Sequence, residues 1–236
     1  MTYCISDIHG EYDLFMRLLE KICYSDSDRL IVCGDFLDKG TASIRLTKTI
    51  FDLPGSFCIM GNHEYTFFKY YCSKTESPVS DFDAVLTDLR AYFPQDGHLL
   101  DWDTVDILID LPYYFEERDF LCVHAGVPID DTGRILSLRS VSPEELVYDR
   151  RFKDPSVLPN ADKCVFFGHT PTTYLQPKPR ILAYPRLKGA RGNSITSYSK
   201  VHLDTGVSMN GVLGCFCVDT CRAFYVSNDS GKPTNC

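Results

Sequence analysis

Residues 3–10 read Tyr3-Cys4-Ile5-Ser6-Asp7-Ile8-His9-Gly10, and their pattern sets the architecture of the chain. A short apolar run gives way to a carboxylate and an imidazole two positions apart, then to glycine. On an extended backbone, residues two apart point the same way, so Asp7 and His9 emerge together at the end of a strand. Leu14, Phe15, Leu18, Leu19 and Ile22 follow at helical spacing. The same unit recurs outward. Leu30 to Cys33 predicts a second strand, ending at Gly34-Asp35-Phe36-Leu37-Asp38-Lys39-Gly40, and Ala42 to Phe51 a helix closed by Pro54-Gly55. Phe57 to Met60 predicts a third strand, followed by Gly61-Asn62-His63-Glu64 and a helix toward Tyr71. This βαβαβα run predicts neighbouring parallel strands covered by helices.

Beyond it, residues 73–110 are more polar, with Val85, Leu86 and Leu89 as an apolar stripe, and read as an insertion or cap. Further strands are expected at Tyr113 to Phe115, Phe120 to Val123, Cys164 to Phe167, Ile181 to Tyr184, Val201 to Leu203, Val212 to Val218 and Ala223 to Val226, the last two as a hairpin. Ser142-Pro143-Glu144-Glu145 carries the signature of a helix start. Segment 170–200, rich in Pro, Gly, Ser and basic residues, reads as a long surface loop.

The 236 residues fit one globular domain spanning 1–236. A formal charge of −8 argues against stable nucleic-acid binding or an anionic membrane as partner, and asks for a local cation if the substrate is an anion. No apolar run approaches the ~20 residues of a membrane span. The odd count of 11 cysteines, without a leader-like N-terminus, predicts reduced thiols and a cytoplasmic location. Cys33, Cys58, Cys122 and Cys164 lie in apolar runs as small core residues. Cys215 and Cys217 flank Phe216 in a strand, and with Cys221 they lack the paired spacing of a zinc site.

Four of the six histidines sit beside glycine, alanine or asparagine just after a predicted strand: His9, His63, His124 and His169. Carboxyl ends of adjacent parallel strands open onto one crevice, so these side chains converge. Asp7, Asp35 and Asn62 add carboxylate and amide oxygens, and His9, Asp35 and Asn62 are spaced by about one βα unit each. Divalent metals take this mixture of donors. A bridging carboxylate can hold two ions about 3.5 to 4 Å apart, an arrangement suited to phosphate-ester hydrolysis.

The strings Ser-Asp-Ile-His-Gly, Gly-Asp-Phe-Leu-Asp-Lys-Gly, Gly-Asn-His-Glu, His-Ala-Gly and Gly-His-Thr, in this order, resemble the calcineurin-like metallophosphoesterases, specifically the phosphoprotein phosphatase family in its compact phage-type and bacterial serine/threonine forms. The resemblance runs from Asp7 to the Leu203-Asp204-Thr205-Gly206 segment and weakens over 73–110 and 171–200. It implies an α/β fold with a central β-sandwich flanked by helices and a dimetal site at the strand ends. It also implies one ion on Asp7, His9 and Asp35, and a second on Asp35, Asn62, His124 and His169. Manganese and iron suit this set, and zinc is compatible with it.

By the same resemblance His63 is the general acid, held by Asp38, and Arg150 grips phosphate together with Lys39 and Asn62. Arg151 is an alternative to Arg150, and Asp38 could instead cap the helix at Ala42. Lys39 departs from the family's usual arginine and lacks its bidentate fork. His202 reads as a strand residue or a support for the site.

The activity expected from the resemblance is a phosphomonoesterase working by direct attack of a metal-held hydroxide, foremost a serine/threonine protein phosphatase acting on phosphoproteins or small phosphoesters. The alternative is symmetrical hydrolysis of diadenosine tetraphosphate. A non-catalytic metal-binding scaffold is a further one. Loops 73–110, 127–140 and 171–200 carry the distinction, and Lys178, Arg180, Arg186, Lys188 and Arg191 form a basic cluster in the last. Nothing in the sequence speaks to oligomeric state.

Overall fold

Alternation along the strands sorts the apolar residues into layers. In β1 (Thr2–Ile5) Cys4 faces one way and Tyr3 and Ile5 the other, so a single strand feeds two cores. The structure is a computed structural model and describes residues 1–76, 81–93, 97–186 and 194–228. After β1 come α1 (Tyr12–Lys21), β2 (Arg29–Val32), α2 (Ser43–Asp52), β3 (Ser56–Cys58) and α3 (Asn62–Thr75). The strands β1, β2 and β3 are parallel neighbours, as the βαβαβα pattern predicts.

The chain continues through α4 (Phe82–Ala91), α5 (Trp102–Ile109), β4 (Tyr114–Glu116), β5 (Phe120–Val123), α6 (Pro143–Tyr148) and β6 (Cys164–Phe167). It ends with β7 (Leu182–Pro185), β8 (Tyr198–His202), α7 (Val207–Asn210), β9 (Val212–Cys217) and β10 (Arg222–Ser227). Local chemistry explains several helix starts. Asp101 Oδ1 accepts the Thr104 N–H at 3.0 Å before α5. Ser142 Oγ accepts from Glu145 before α6, with Pro143 at the first helical position.

Two five-stranded sheets result, in the orders β10-β9-β1-β2-β3 and β4-β5-β6-β8-β7. In the second, β5, β6 and β8 are parallel, and β4 and β7 are antiparallel edges. Cys4, Ile31, Cys33, Cys122, Cys164, Phe166 and Phe216 fill the space between the sheets. Ile5, Leu30 and Val32 pack against α1 and α2 through Leu14, Phe15, Leu18 and Leu46. The structure is thus a mixed α/β fold with two sheets flanked by helices.

Two expectations need correction. Residues 73–110 are not a separate cap over the described part: Leu86, Leu89, Val105 and Leu108 join the same core as Phe67 and Leu14. Segment 170–200 is not one surface loop, because it contains the edge strand β7 and, from Tyr198, the start of β8. Of the basic cluster there, Lys188 and Arg191 lie outside the described residues. Arg186 turns inward, its Nε donating to Thr196 O at 2.6 Å. Cys33, Cys58, Cys122 and Cys164 are buried as their apolar runs predict, and the ten described cysteines are free. Among the described residues no helix is long and apolar enough to cross a membrane.

Candidate active site

The candidate ligands sit on turns that leave the parallel strands, and the backbone there is unusual. Asp7, His9, Asp35, Asp38, Lys39 and His169 all have φ between 50° and 68°. They are six of the eight non-glycine residues with positive φ among those described. An L-residue in the left-handed region costs on the order of 1 kcal/mol or more, and clusters of such residues mark functional sites. Close approach does the rest. A Cβ at Gly168 would come within 2.1 Å of Asp7 Oδ2, and one at Gly61 within 2.3 Å of Asp35 Oδ1. Glycine at 168 lets the turns from the two sheets meet, and glycine at 61 lets the turns after β2 and β3 do so.

Two of the buried imidazoles are oriented through Nδ1. His9 Nδ1–H donates to Leu37 O at 3.1 Å, and His124 Nδ1–H to Cys33 O at 2.8 Å. Both Nε2 atoms therefore face inward, the orientation of a metal-ligating histidine. His124 Nε2 lies 3.4 Å from Asp35 Oδ1 and 3.0 Å from Asn62 Oδ1, and His169 Nδ1 lies 2.7 Å from the same amide oxygen. His9 Nε2 is 3.9 Å from both Asp7 Oδ1 and Asp35 Oδ2. Asp7 Oδ2 accepts from Ser6 Oγ at 2.5 Å and from the His169 N–H at 2.9 Å, which leaves Oδ1 for the centre.

The donor set fits two cations that share Asp35. One group of donor atoms lying within 4.8 Å of one another comes from Asp35, His124 and His169, and another from His9, Asp35 and His63. The second group contains His63 where the resemblance implies Asp7. Asp7 also turns an oxygen into this group, Oδ1 lying 3.9 Å from His9 Nε2, so the residues around His9 offer both Asp7 and His63 as a third donor beside Asp35. Burial and the neighbouring carboxylates pull the histidines of the cluster in opposite directions. Burial by itself would lower the His124 pKa, yet Asp35 and Asp7 push it up to about 10. Burial and the neighbouring His124 push His169 down to about 3. Burial would likewise lower His63, but Asp38 and Asp35 hold it above its ordinary value.

Lys39 and Arg150 line the same cavity as His9 and His169. Arg151 does not. Its guanidinium is tied to Asp149 at 2.6 Å and lies 3.8 Å from Glu145, with the side chain 77% exposed. Lys39 Nζ instead lies 2.9 Å from His9 Nε2. His202 is buried, stacked on Phe167 with ring centroids 4.3 Å apart, and its Nε2–H donates to Thr170 O at 2.5 Å. That bond braces the turn that follows His169.

Two residues of the quoted strings have roles that went unassigned. Glu64 is fully buried and accepts the backbone N–H of Asp35, Phe36, Leu37 and Gly61 at 2.7 to 3.0 Å. It fastens the Asp35 turn to the start of α3, and burial with the nearby Asp35 charge pushes its pKa up to about 7. Asp204 is buried, accepts from the Gly206 N–H at 2.7 Å and lines the cavity. Their positions inside the strings Gly-Asn-His-Glu and Leu-Asp-Thr-Gly were the available signal.

Comparison with known proteins bears on the activity. The model of the calcineurin-like phosphoesterase family matches residues 2–204. A symmetrical bis(5'-nucleosyl)-tetraphosphatase of Pseudomonas putida (strain W619) is 28% identical over 155 residues, covering 64% of this chain and 51% of that protein. One of Dechloromonas aromatica (strain RCB) is 31% identical over 128 residues, covering 53% and 44%. The chain spans about half the length of these curated relatives.

Among solved structures, a provisionally assigned diadenosine tetraphosphatase superposes with a TM-score of 0.69 at 16% identity, covering 98% of this chain and 94% of that one. A cold-active protein-tyrosine phosphatase of a Shewanella species gives 0.58 at 15% identity, covering 97% and 78%. Identities this low speak to the fold alone.

The expectation of a serine/threonine protein phosphatase is overturned by the curated relatives, which carry the name of the alternative. The physical reason is that the shared strings lie on the turns that carry the candidate ligands, which phosphoprotein and dinucleotide hydrolysis would use alike. The family implies a dimetal centre, and the residues present suit one. With a family model matching nearly all of the chain through Asp204, and with its turns converging on one carboxylate-imidazole cluster, the chain belongs to the calcineurin-like phosphoesterase family and is a metallophosphoesterase.

Proposed function

We propose that the protein hydrolyses dinucleoside tetraphosphates symmetrically, converting diadenosine tetraphosphate to two ADP. The agreement among the curated relatives carries this reading, although the chain spans only about half their length. A cavity that joins the carboxylate-imidazole cluster to two side-chain cations supports it. The reading treats residues 1–236 as one catalytic domain working in the cytoplasm, with a small polyphosphate rather than a protein as substrate.

In this reading Asp7, His9 and Asp35 hold one ion, and Asp35, Asn62, His124 and His169 the other, with manganese or iron the favoured metals and zinc compatible. When bound, the ions neutralise the phosphoryl group and activate water. Arg150 and Lys39 bind the flanking phosphates, and the Asn62 amide faces the phosphate under attack. His63 holds a proton at Nε2, oriented by its Nδ1–H bond to Asp38, and gives it to the departing phosphate oxygen.

Incubation with manganese and diadenosine tetraphosphate, followed by chromatography of the products, tests the assignment. Two ADP as the product, lost in Asp35→Asn, is the expected result. AMP with ATP, or release of inorganic phosphate from a phosphopeptide in preference, would overturn it. Metal binding without turnover would leave the scaffold alternative.

A further inference from the structure

The cavity containing His9 and His169 has a volume of about 300 Å³ and does not end at the candidate ligands. Its interior is polar: His9, His169 and Asp204 are 4%, 7% and 2% exposed. Lys39 and Arg150 also line it. Its remaining wall carries Tyr174 and Met209, which are 63% and 62% exposed and rank among the large apolar side chains the fold leaves in water.

Neither residue hangs on a loose loop. Tyr174 closes a 3₁₀ turn over Thr172–Tyr174, and the Thr172 N–H donates to Asp204 O at 2.8 Å. Met209 belongs to α7, and its N–H donates to Gly206 O at 2.9 Å. Both turns are therefore pinned to the Asp204–Gly206 strand end, which itself lines the cavity. Lys153 Nζ stands 6.0 Å from the Tyr174 ring centroid and adds positive charge beside it.

We propose that Tyr174 and Met209 form a nucleobase subsite, in which a purine stacks on the Tyr174 ring against the Met209 thioether while its phosphates reach Arg150 and Lys39. This rests on the dinucleotide reading and names the residues that would give it base recognition. Charge and shape select the ligand class. Two side-chain cations, with Lys153 beyond them, ask for more than one phosphate, and an exposed phenol ring beside a soft thioether suits a flat aromatic group. A nucleotide with a short polyphosphate supplies both ends. Stacking of this kind favours bases without reading their edges strongly, so adenine and guanine nucleotides are both accepted.

The test uses the manganese-loaded protein and compares calorimetric affinities for ADP and inorganic pyrophosphate. Tyr174→Ala is expected to lower the ratio of ADP to pyrophosphate affinity by about ten-fold. Met209→Ala lowers it by a smaller factor, and Tyr174→Trp restores it. The exposure of Tyr174 makes the variants safe for folding, which the pyrophosphate measurement checks in each. An unchanged ratio in Tyr174→Ala, or wild-type protein that binds ADP no better than pyrophosphate, overturns the subsite. The outcome is separable from that of the proposed function. Turnover of diadenosine tetraphosphate with an unchanged ratio removes only the subsite, while a Tyr174-dependent ratio without turnover removes only the activity.

Discussion

Lys39 Nζ lies 2.9 Å from His9 Nε2, so an ammonium rests against the imidazole lone pair that a metal would take. Were an ion held by Asp7, His9 and Asp35 as proposed, it would compete with Lys39 for this nitrogen, and the ammonium would have to leave it. Removing its charge relieves the competition. Lys39→Ala is expected to bind manganese several-fold more tightly at one of two sites, a gain on the order of 1 kcal/mol, while the KM for a polyphosphate rises. Calorimetric titration of manganese reads the first effect, and equal affinity in both proteins would argue against it.

Arg150 and Arg151 are adjacent in sequence but differ in surroundings. Arg150 lines the cavity, whereas Arg151 is held on the outside by Asp149 and Glu145. Arg150→Ala should raise the KM about ten-fold to a hundred-fold through loss of charge-assisted phosphate bonds. Arg151→Ala should leave it within about two-fold. Steady-state kinetics on both variants checks the pair, and the reverse ranking would reassign the phosphate contact.

His63 Nδ1 lies 2.8 Å from Asp38 Oδ2, and the proposed reaction takes its leaving-group proton from His63. Replacing His63 by Asn should cut kcat about a hundred-fold on an alkyl phosphate, whose leaving group needs a proton. The loss should be smaller on a phosphoanhydride, whose leaving phosphate departs more readily. A loss that does not depend on the leaving group would remove His63 from proton transfer.

Glu64 accepts four backbone N–H groups from the turns that carry Asp35 and Asn62. An amide in its place turns one acceptor oxygen into a donor facing those N–H groups. Glu64→Gln is expected to lose about 2–4 kcal/mol of stability and much of its metal affinity, although Glu64 reaches no ion itself. Urea unfolding with and without manganese separates the two losses.

Lys200 is buried among Phe152, Phe167 and Tyr184, with its Nζ–H groups donating to Phe152 O and Asp154 O at 2.7 Å each. Burial pulls its pKa down to about 8, from an ordinary 10.5 in the unfolded chain. Between these values the unfolded state holds more protons, so stability rises with pH. Relative to Lys200→Met, the wild-type protein should therefore gain stability from pH 8 to 10.5, by up to about 3 kcal/mol, and show no such trend below pH 7. Comparing the two proteins cancels the opposite slopes of buried thiols and phenols. A flat difference across that range would mean that Lys200 stays charged.

Much of this architecture is legible in residues 3–71, where strand, turn and helix alternate with clear periodicity and each turn carries its chemistry next to glycine. The candidate ligands could be named because the requirement for a divalent cation is local: particular donors at strand ends. What escaped depends on contacts distant in sequence. Nothing about Glu64 as a single residue tells that its carboxylate folds back onto the amides of residues 35–37. The helices at 82–91 and 102–109 bury only a stripe each, so their polar faces suggested a cap rather than a part of the core. The choice between phosphoprotein and dinucleotide was illegible for a similar reason. In the proposed reading it lies in side chains such as Tyr174 and Met209, which line one cavity with Arg150 only through the packing of separate turns.

The ligand cluster draws Asp7, His9, Asp35 and Asn62 from the turns of one sheet, and His124 and His169 from those of the other. Neither half can assemble the full set of donors. Asp7, His9 and Asp35, the donors proposed for one ion, come from one sheet alone, whereas the set proposed for the other needs His124 and His169, so a newly made chain could complete that second set only once both sheets had closed on each other. A half-formed intermediate would therefore lack the second of the two donor sets.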